Sequence, residues 1–257
     1  EEDVGKSIHR GASSVLDFNR AGVPLMEIVS EPDMSSADEA YAYLTALKQI
    51  LQYADISDCD MEKGQMRCDV NVSIRQKDNP EYGTKVELKN LNSFRAVYRG
   101  LAYEIVRQQE RLDSGQAVAQ ETRRWNDEAG VTTLMRTKEE AHDYRYFPEP
   151  DLMPLHITEE WLTDIHSALP EAPAERRARF VRDYSVTAYD AQVLTSEKAL
   201  ADFFETAVRE GQPNPKRVAK SIMTDLLGVV GEAGQSITDS PVSPATLGQL
   251  VQLIDDK

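Results

Sequence analysis

Cysteine is scarce in this chain, since only Cys59 and Cys68 occur among its 257 residues. Two thiols build neither a disulfide framework nor a four-ligand zinc set, and no suitably spaced histidine accompanies either as a catalytic base. The cysteine content therefore argues against a small disulfide-stapled secreted domain and favours a reducing, cytoplasmic environment.

Long hydrophobic runs and several catalytic motifs are missing too. No apolar stretch approaches the ~20 residues that a membrane span needs. The glycine-rich signatures of P-loop and Rossmann sites are absent, as are HExxH and GxSxG. No signal peptide is visible, but the chain starts at Glu1 without a methionine and stops at Lys257 inside a periodic segment. We therefore expect that both ends are cut.

Positive charge is in deficit. The chain has 29 Lys and Arg against 44 Asp and Glu, a formal net charge of -15. This balance argues against non-specific nucleic-acid binding, so an RNA partner would have to meet a local basic patch. A hydrophobic content of 40% and a charged content of 28% are otherwise those of a soluble globular protein.

The most distinctive stretch present runs from 16 to 33. A turn around Gly22 and Pro24 interrupts it, and the β-prone run at 25–29 predicts a buried strand. Glu27 lies in the middle of that run. Burying an unpaired carboxylate is costly, so Glu27 should meet a cation, a metal or several donors. A glutamate on the wet face of an edge strand is the alternative.

A second acidic feature is the cluster Glu1-Glu2-Asp3 at the start of the chain. Adjacent carboxylates repel one another, so such a cluster is either solvated surface or a cation site. The residues alone leave both interpretations open.

Periodicity predicts two helices and two hairpins in the first half. Helices show apolar residues at intervals of three and four, and strands show strict alternation. The predicted elements are a helix over 36–53, strands at 66–75 and 84–91, a helix from caps at 90–93 to about 114, and strands at 117–125 and 131–138.

One face of the first hairpin is unusually dense in charge of both signs. The side chains that would converge there are Asp69, Asn71, Glu87 and Lys89. The simpler interpretation is a solvated face. The more specific one is a cleft lined by charged side chains. The polar run 122–124 is likewise either plain surface or a contact for phosphate or RNA.

The character of the sequence changes in the second half. Residues 142–151 are aromatic and proline-rich, which predicts an ordered extended segment. The helices predicted beyond a linker at 170–173 are 174–184, 188–194, 196–210, 214–230 and 244–256. We predict an α+β fold with a mixed, largely antiparallel sheet in residues 1–169, followed by an all-α domain in residues 170–257.

These features leave an acid-rich α+β domain without redox or acyl-enzyme groups. Acid clusters suit hard cations, and magnesium in turn suits phosphate substrates. Composition and spacing lead no further.

Three stretches carry a specific resemblance to a known family. They are DFNRAGVPLMEIVSEPD at 17–33, TKVELKNLNSF at 84–94 and DYRYFPEPDLMPL at 143–155. These stretches resemble the B subunits of aspartyl/glutamyl-tRNA(Asn/Gln) amidotransferases. The resemblance continues in register between them and covers effectively the whole chain. The resemblance implies a cradle-type, kinase-like catalytic domain lacking its N-terminal part, and a helical domain lacking its C-terminal part and the tail domain.

The resemblance also implies a reaction. The B subunit would use ATP and Mg²⁺ to phosphorylate the side-chain carboxylate of Glu-tRNA(Gln) or Asp-tRNA(Asn). Ammonia that the A subunit releases from glutamine would then displace the phosphate, and a small C subunit would complete a heterotrimer. We expect a glutamine-hydrolysing ligase of the bacterial cytoplasm, or an organellar homologue, with no membrane association.

Site residues follow from the resemblance position by position. Glu2 and Glu27 match magnesium-binding glutamates, and the family's remaining ligands are expected upstream of this chain. Glu2 also matches a residue thought to gate ammonia, and Asp69 falls where the polar channel lining is expected. Candidates for nucleotide or acyl-end contacts, with ordinary structural hydrogen bonding as the alternative, are Asn71, Lys89, Asn92, Arg145 and Tyr146.

The tRNA is expected to lie across the helical and tail domains. The basic strip that would meet it is formed by Arg176, Arg177, Arg179 and Arg182. A solvated helix face is the alternative, because Glu171 and Glu175 lie nearby.

Two other functions compete with this one. The archaeal homologue that acts only on Glu-tRNA(Gln) carries an inserted domain, and the uninterrupted run through residue 170 argues against it. A non-catalytic tRNA-binding or scaffold module is the alternative from another class. ATP hydrolysis that depends on Glu27 would separate it from the kinase-like function.

Overall fold

The computed structural model describes residues 2–3, 6–11, 13–137 and 153–256. Contacts divide the chain into two compact units, residues 1–36 and 37–257. The smaller unit contains two antiparallel ladders. Strand β1 (Glu2–Asp3) pairs with β4 (Val23–Pro24), and β2 (Lys6–Arg10) pairs with β3 (Ser13–Asp17).

The prediction of a buried strand at 25–29 is wrong. Strand β4 ends at Pro24, and the residues that follow form exposed coil, with Val29 retaining 81% of its accessible surface. A β-prone run becomes a strand only where a neighbouring strand supplies hydrogen-bond partners. None of the described strands pairs with this run. Glu27 is therefore exposed rather than buried.

The larger unit begins with a helix-backed sheet. Its elements are α1 (Ala37–Tyr53), β5 (Val70–Val72), β6 (Val86–Lys89), α2 (Phe94–Asp113), β7 (Glu121–Asn126) and β8 (Val131–Thr137). The strand order is β5-β6-β7-β8, with β6 and β7 parallel and the other two pairs antiparallel. The predicted mixed, largely antiparallel sheet and both hairpins are confirmed.

The first strand of this sheet is shorter than the alternation of its sequence predicts. Residues 66–75 alternate throughout, but only 70–72 have partners in β6. The flanking residues keep the alternation of half-buried and exposed side chains almost throughout, without ladder hydrogen bonds. Alternation thus reports which face is covered, while pairing decides where a strand begins and ends.

The core of this part lies between the sheet and helix α2. Val86 and Leu88 of β6 are fully buried, as is Val97 of α2, and Trp125 of β7 is 2% exposed. Helix α2 begins at Ser93, whose hydroxyl accepts a hydrogen bond from the backbone N–H of Ala96. The predicted caps and helix are confirmed.

The second half is helical, as predicted. Its helices are α3 (Glu159–Ala168), α4 (Pro173–Tyr184), α5 (Ala188–Leu194), α6 (Lys198–Gly211), α7 (Pro215–Ser221), α8 (Leu227–Glu232) and α9 (Pro244–Asp255). A π-helical turn at Ile222–Leu226 joins α7 to α8 within the segment predicted as one helix. None of the described helices is both long and apolar enough to cross a membrane.

The helices enclose a core of their own. Phe180, Phe204, Leu194 and Ile222 are all fully buried in it. A Cβ at Gly248 of α9 would collide with the Ala207 carbonyl of α6, so only glycine permits this helix crossing. The domain boundary predicted near residue 169 stays a prediction.

Helix α1 connects the sheet core to the helices. Tyr53, 2% exposed, donates its hydroxyl to the Thr195 carbonyl oxygen at 2.9 Å. Two residues later Asp55 forms an ion pair with Lys198 at the start of α6. The last turn of α1 is therefore held against the corner between α5 and α6.

Tyr53→Phe should weaken this contact, because it leaves the Thr195 carbonyl without the phenolic donor. We expect the free energy of unfolding to fall by about 1–2 kcal/mol, measured by urea denaturation. Tyr189→Phe is the matched control, because Tyr189 is 68% exposed and should tolerate the change.

The contact also has a pH signature. Burial raises the pKa of Tyr53 to about 12 from an ordinary value of 10.0. The folded chain therefore keeps a neutral phenol where the unfolded chain ionises, so this stability is complete below about pH 10 and lost as the pH rises towards 12. Tyr53→Phe should show a shallower decline over that window, and equal slopes would contradict the assignment.

Candidate functional site

One face of the four-stranded sheet carries polar and charged side chains. Asn71 lies opposite Glu87 across β5 and β6, and Glu87 lies beside Thr122 across β6 and β7. Residues paired in this way point to the same side of a sheet. We call this side the open face, and its members are Asp69, Asn71, Glu87, Lys89, Thr122, Arg124 and Arg136.

Lys89 lies between two carboxylates on the open face. Its ammonium nitrogen is 2.5 Å from an Asp69 carboxylate oxygen and 3.4 Å from one of Glu87. Burial alone would lower the pKa of Lys89, but the hydrogen bond to Asp69 and the charges of both carboxylates together raise it. The predicted convergence of these side chains is confirmed, and Lys89 is a fixed positive charge.

Thr122 of β7 is a buried member of the open face and bonds to β6. Its side chain is fully buried, and its hydroxyl donates to a Glu87 carboxylate oxygen at 2.7 Å. The interpretation of residues 122–124 as plain surface is therefore wrong for Thr122. Arg124, two residues on along the same face, is exposed.

A buried ionic network lies beneath the opposite face. Glu104 of α2 is fully buried, and its carboxylate accepts hydrogen bonds from Arg107 at 2.6 Å and from the Thr132 hydroxyl at 3.1 Å. Arg107 also reaches Glu121 of β7 at 3.1 Å, and Arg123 reaches Glu121 at 2.8 Å. The network ties α2 to both strands of the second hairpin.

Glu104→Gln should destabilise the protein strongly, because two buried or half-buried guanidinium groups would lose a shared negative charge. We expect a loss of about 3 kcal/mol in the free energy of unfolding. The control is Glu110→Gln, an exposed position on the same helix. A loss below about 1 kcal/mol in urea denaturation would show that the remaining partners neutralise the cluster without Glu104.

The two predicted magnesium glutamates belong to the smaller unit. Pairing of β1 with β4 sets the backbone of Glu2 opposite Pro24, three residues before Glu27. Among the described residues, no three acidic, histidine or cysteine side chains converge as a metal site would require. The magnesium assignment stays a prediction.

The four arginines predicted as a basic strip all have partners within the chain, and their contact with tRNA stays a prediction. Arg176 is 8% exposed and binds Asp202 at 2.6 Å. Arg179 binds Glu171 at 2.6 Å. The neighbour of Arg182 is Asp183, at 2.7 Å, and Arg177 points at the α1 contact, where the Thr195 hydroxyl accepts from it at 3.4 Å. Arg176 and Arg179 bind within the chain because acidic residues of α6 and of the linker face this helix, which its own sequence could not show.

Two of the residues predicted to contact the nucleotide or the acyl end are exposed: Asn92 just before α2 and Asn71 on the open face. Their roles stay predictions. Arg145 and Tyr146 lie outside the described residues. Sequence reasoning missed Thr122 and Arg136 as members of the open face, because neither belongs to the first hairpin. Alternation at 121–125 was the available signal, but it could not reveal that β7 pairs with β6.

Two family models match the chain. The model for the "GatB/GatE catalytic domain" matches residues 1–163, and the model for the "GatB domain" matches residues 202–257. Together the two models cover most of the chain. The chain belongs to the GatB/GatE family, as the resemblance indicated.

Curated relatives agree with the family models. The B subunits of the aspartyl/glutamyl-tRNA(Asn/Gln) amidotransferases of Thermoanaerobacter pseudethanolicus and Persephonella marina are each 53% identical to the chain, over 257 and 255 residues. The Brevibacillus brevis protein of the same name is 50% identical over 258 residues. Each alignment covers 99–100% of this chain but 54% of the relative, so the chain spans about half the length of these proteins.

Proposed function

We propose that the full-length protein uses ATP to activate the side-chain carboxylate of Glu-tRNA(Gln), Asp-tRNA(Asn) or both, and then amidates it with ammonia derived from glutamine. Membership of the GatB/GatE family supports the reaction class. The observation that carries the proposal is the open face, where a charged lysine, an amide and two carboxylates lie on one sheet.

The reaction would proceed in two chemical steps. A carboxylate oxygen attacks the γ-phosphorus of ATP, the bond from that phosphorus to the ADP oxygen breaks, and an acyl phosphate forms. Ammonia then attacks the acyl carbon, the bond from that carbon to the phosphate oxygen breaks, and a proton leaves the nitrogen. Activation is needed because a carboxylate is a poor electrophile, whereas an acyl phosphate has a good leaving group.

The chain's own residues would position and neutralise charge. Lys89 donates to Asp69 and lies beside Glu87, which fixes its position, and the remaining N–H of its ammonium would donate to a phosphate or carboxylate oxygen of the ligand. Asn71 and Asn92 offer amide groups for the nucleotide or acyl end. Asp69 would also form part of a polar lining for ammonia, and Glu2 would gate its entry.

Magnesium fits the donor chemistry of the smaller unit, because hard cations prefer carboxylate oxygens. Glu2 and Glu27 would hold it in part, with further ligands from water, phosphate and other residues. The bound ion would supply neutralisation of phosphate charge.

We further propose two partners in a heterotrimer of the bacterial cytoplasm or an organelle. The A subunit would hydrolyse glutamine, and a small C subunit would complete the complex. The relatives are named as B subunits, which supports an assembly of several different chains. This architecture would deliver ammonia without releasing it to water.

Glu27→Gln in the full-length protein tests the kinase-like function. We expect amide formation and ATP turnover to be abolished, because a neutral amide binds a divalent cation much more weakly than a carboxylate does, while glutamine hydrolysis by the partner chain persists in part. The measurements are conversion of Glu-tRNA to Gln-tRNA and release of ADP. Unchanged conversion would contradict the assignment.

Lys89→Met tests the open face itself. We expect kcat/KM for amidation to fall at least ~100-fold, the usual cost of removing one preorganised charge, with an unchanged circular dichroism spectrum. Lys77→Met, in the exposed loop between β5 and β6, is the control. Equal activities of the two variants would exclude Lys89 from the reaction.

A further inference from the structure

Two arginines of the open face have no role in the steps above. Arg124 lies on β7 and is paired with Thr133, while Arg136 lies on β8 and is paired with Thr122. A β-bulge interrupts the ladder between these pairs, and Met135 is its extra residue. The bulge places Arg136 on the same face as Arg124, so the two arginines are diagonal neighbours. Such neighbours lie roughly 7–8 Å apart, within the joint reach of two arginine side chains.

The carboxylates of the open face pair with Lys89 and not with these arginines. Both carboxylates of the open face are within ion-pair distance of Lys89, at 2.5 Å for Asp69 and 3.4 Å for Glu87. In the ranges that the structure describes, no carboxylate lies within ion-pair distance of Arg124 or Arg136. Both side chains are exposed. Among the described residues, the second hairpin therefore presents two arginines without a carboxylate partner, in a chain whose net charge is -15.

The two arginines also lie next to the Lys89 cluster. Thr122, opposite Arg136, is bonded to the same Glu87 that contacts Lys89, so the arginines adjoin the Lys89 cluster on one rigid surface. A ligand that occupies the Lys89 cluster would extend over Arg124 and Arg136. Guanidinium groups bind phosphate oxygens in bidentate fashion, which makes phosphate esters the matching ligand.

We propose that Arg124 and Arg136 form an anion clamp that binds phosphate groups of a ligand lying across the open face. The proposal rests on the proposed function for the two sources of such phosphates, which are the sugar–phosphate backbone near the 3′ end of the tRNA and the triphosphate of ATP. The clamp extends the site beyond the residues carried over from the family.

The test measures both ligands on the full-length protein in its complex. Variants Arg124→Gln and Arg136→Gln are compared with Lys77→Gln, which also removes one positive charge from an exposed position. Binding of fluorescently labelled tRNA is measured by anisotropy at several salt concentrations, and the KM for ATP is measured by ADP release. Thermal melting confirms that each variant is folded.

We expect each arginine variant to weaken tRNA binding about 5–10-fold relative to Lys77→Gln, with the slope of log Kd against log salt reduced by about 1. The KM for ATP should then stay within about twofold. A raised KM for ATP with unchanged tRNA binding would assign the clamp to the triphosphate instead. If both variants match Lys77→Gln in both assays, the clamp does not exist.

This test is separable from that of the proposed function. If the unsubstituted complex neither turns over ATP nor amidates tRNA, the proposed reaction fails, but the anisotropy titration still decides whether the arginines bind phosphate. Arg136→Lys keeps the charge without the planar fork, so it should restore part of the tRNA affinity lost in Arg136→Gln.

Discussion

The candidate site depends on the neutralisation of one fully buried carboxylate. Glu104 projects from α2 into the space under the sheet, where an unpaired charge would cost several kcal/mol. Arg107 and the Thr132 hydroxyl bind it directly, and Gln108 donates both to Glu104 and to the Val72 carbonyl of β5. These bonds fix the sheet on α2 from its first strand to its last. The register of the sheet then dictates which side chains reach the open face.

The same logic of internal pairing explains the helical half. An arginine-rich helix in an acidic chain suggests a surface for a polyanion, yet Arg176 and Arg179 share Glu205 at 2.5 and 2.6 Å. Acidic residues of α6 supply the counter-charges, so little of this positive charge is left for a ligand. In the described part of the chain, Arg124 and Arg136 of the second hairpin have no carboxylate partner, and both acids of the open face are engaged by Lys89.

The smaller unit shows the limit of local preference. Residues 25–29 have strand-forming side chains, but a strand needs hydrogen-bond partners on a neighbouring segment, and the described chain gives them none. Apolar side chains there remain exposed, and Glu27 with them. The argument from cost, that a carboxylate among apolar residues must be paired, holds only when the run is covered.

The sequence by itself determined most helices, the two hairpins of the larger unit and the family. Helical periodicity and capping residues placed α1, α2 and the later helices within a few residues, because these signals are local. Alternation identified both hairpins, and three long motifs identified the GatB/GatE family.

Tertiary structure decided everything that depends on a neighbour distant along the chain. The parallel pairing of β6 with β7 brought Thr122 to Glu87 and joined the second hairpin to the site. Docking of α1 on the α5–α6 corner buried Tyr53. Pairing with Asp202 of α6 holds Arg176 in a largely buried position. Side-chain charge and polarity are written in the sequence, but whether a charge is free or neutralised is set by which residues the fold places within about 4 Å of it.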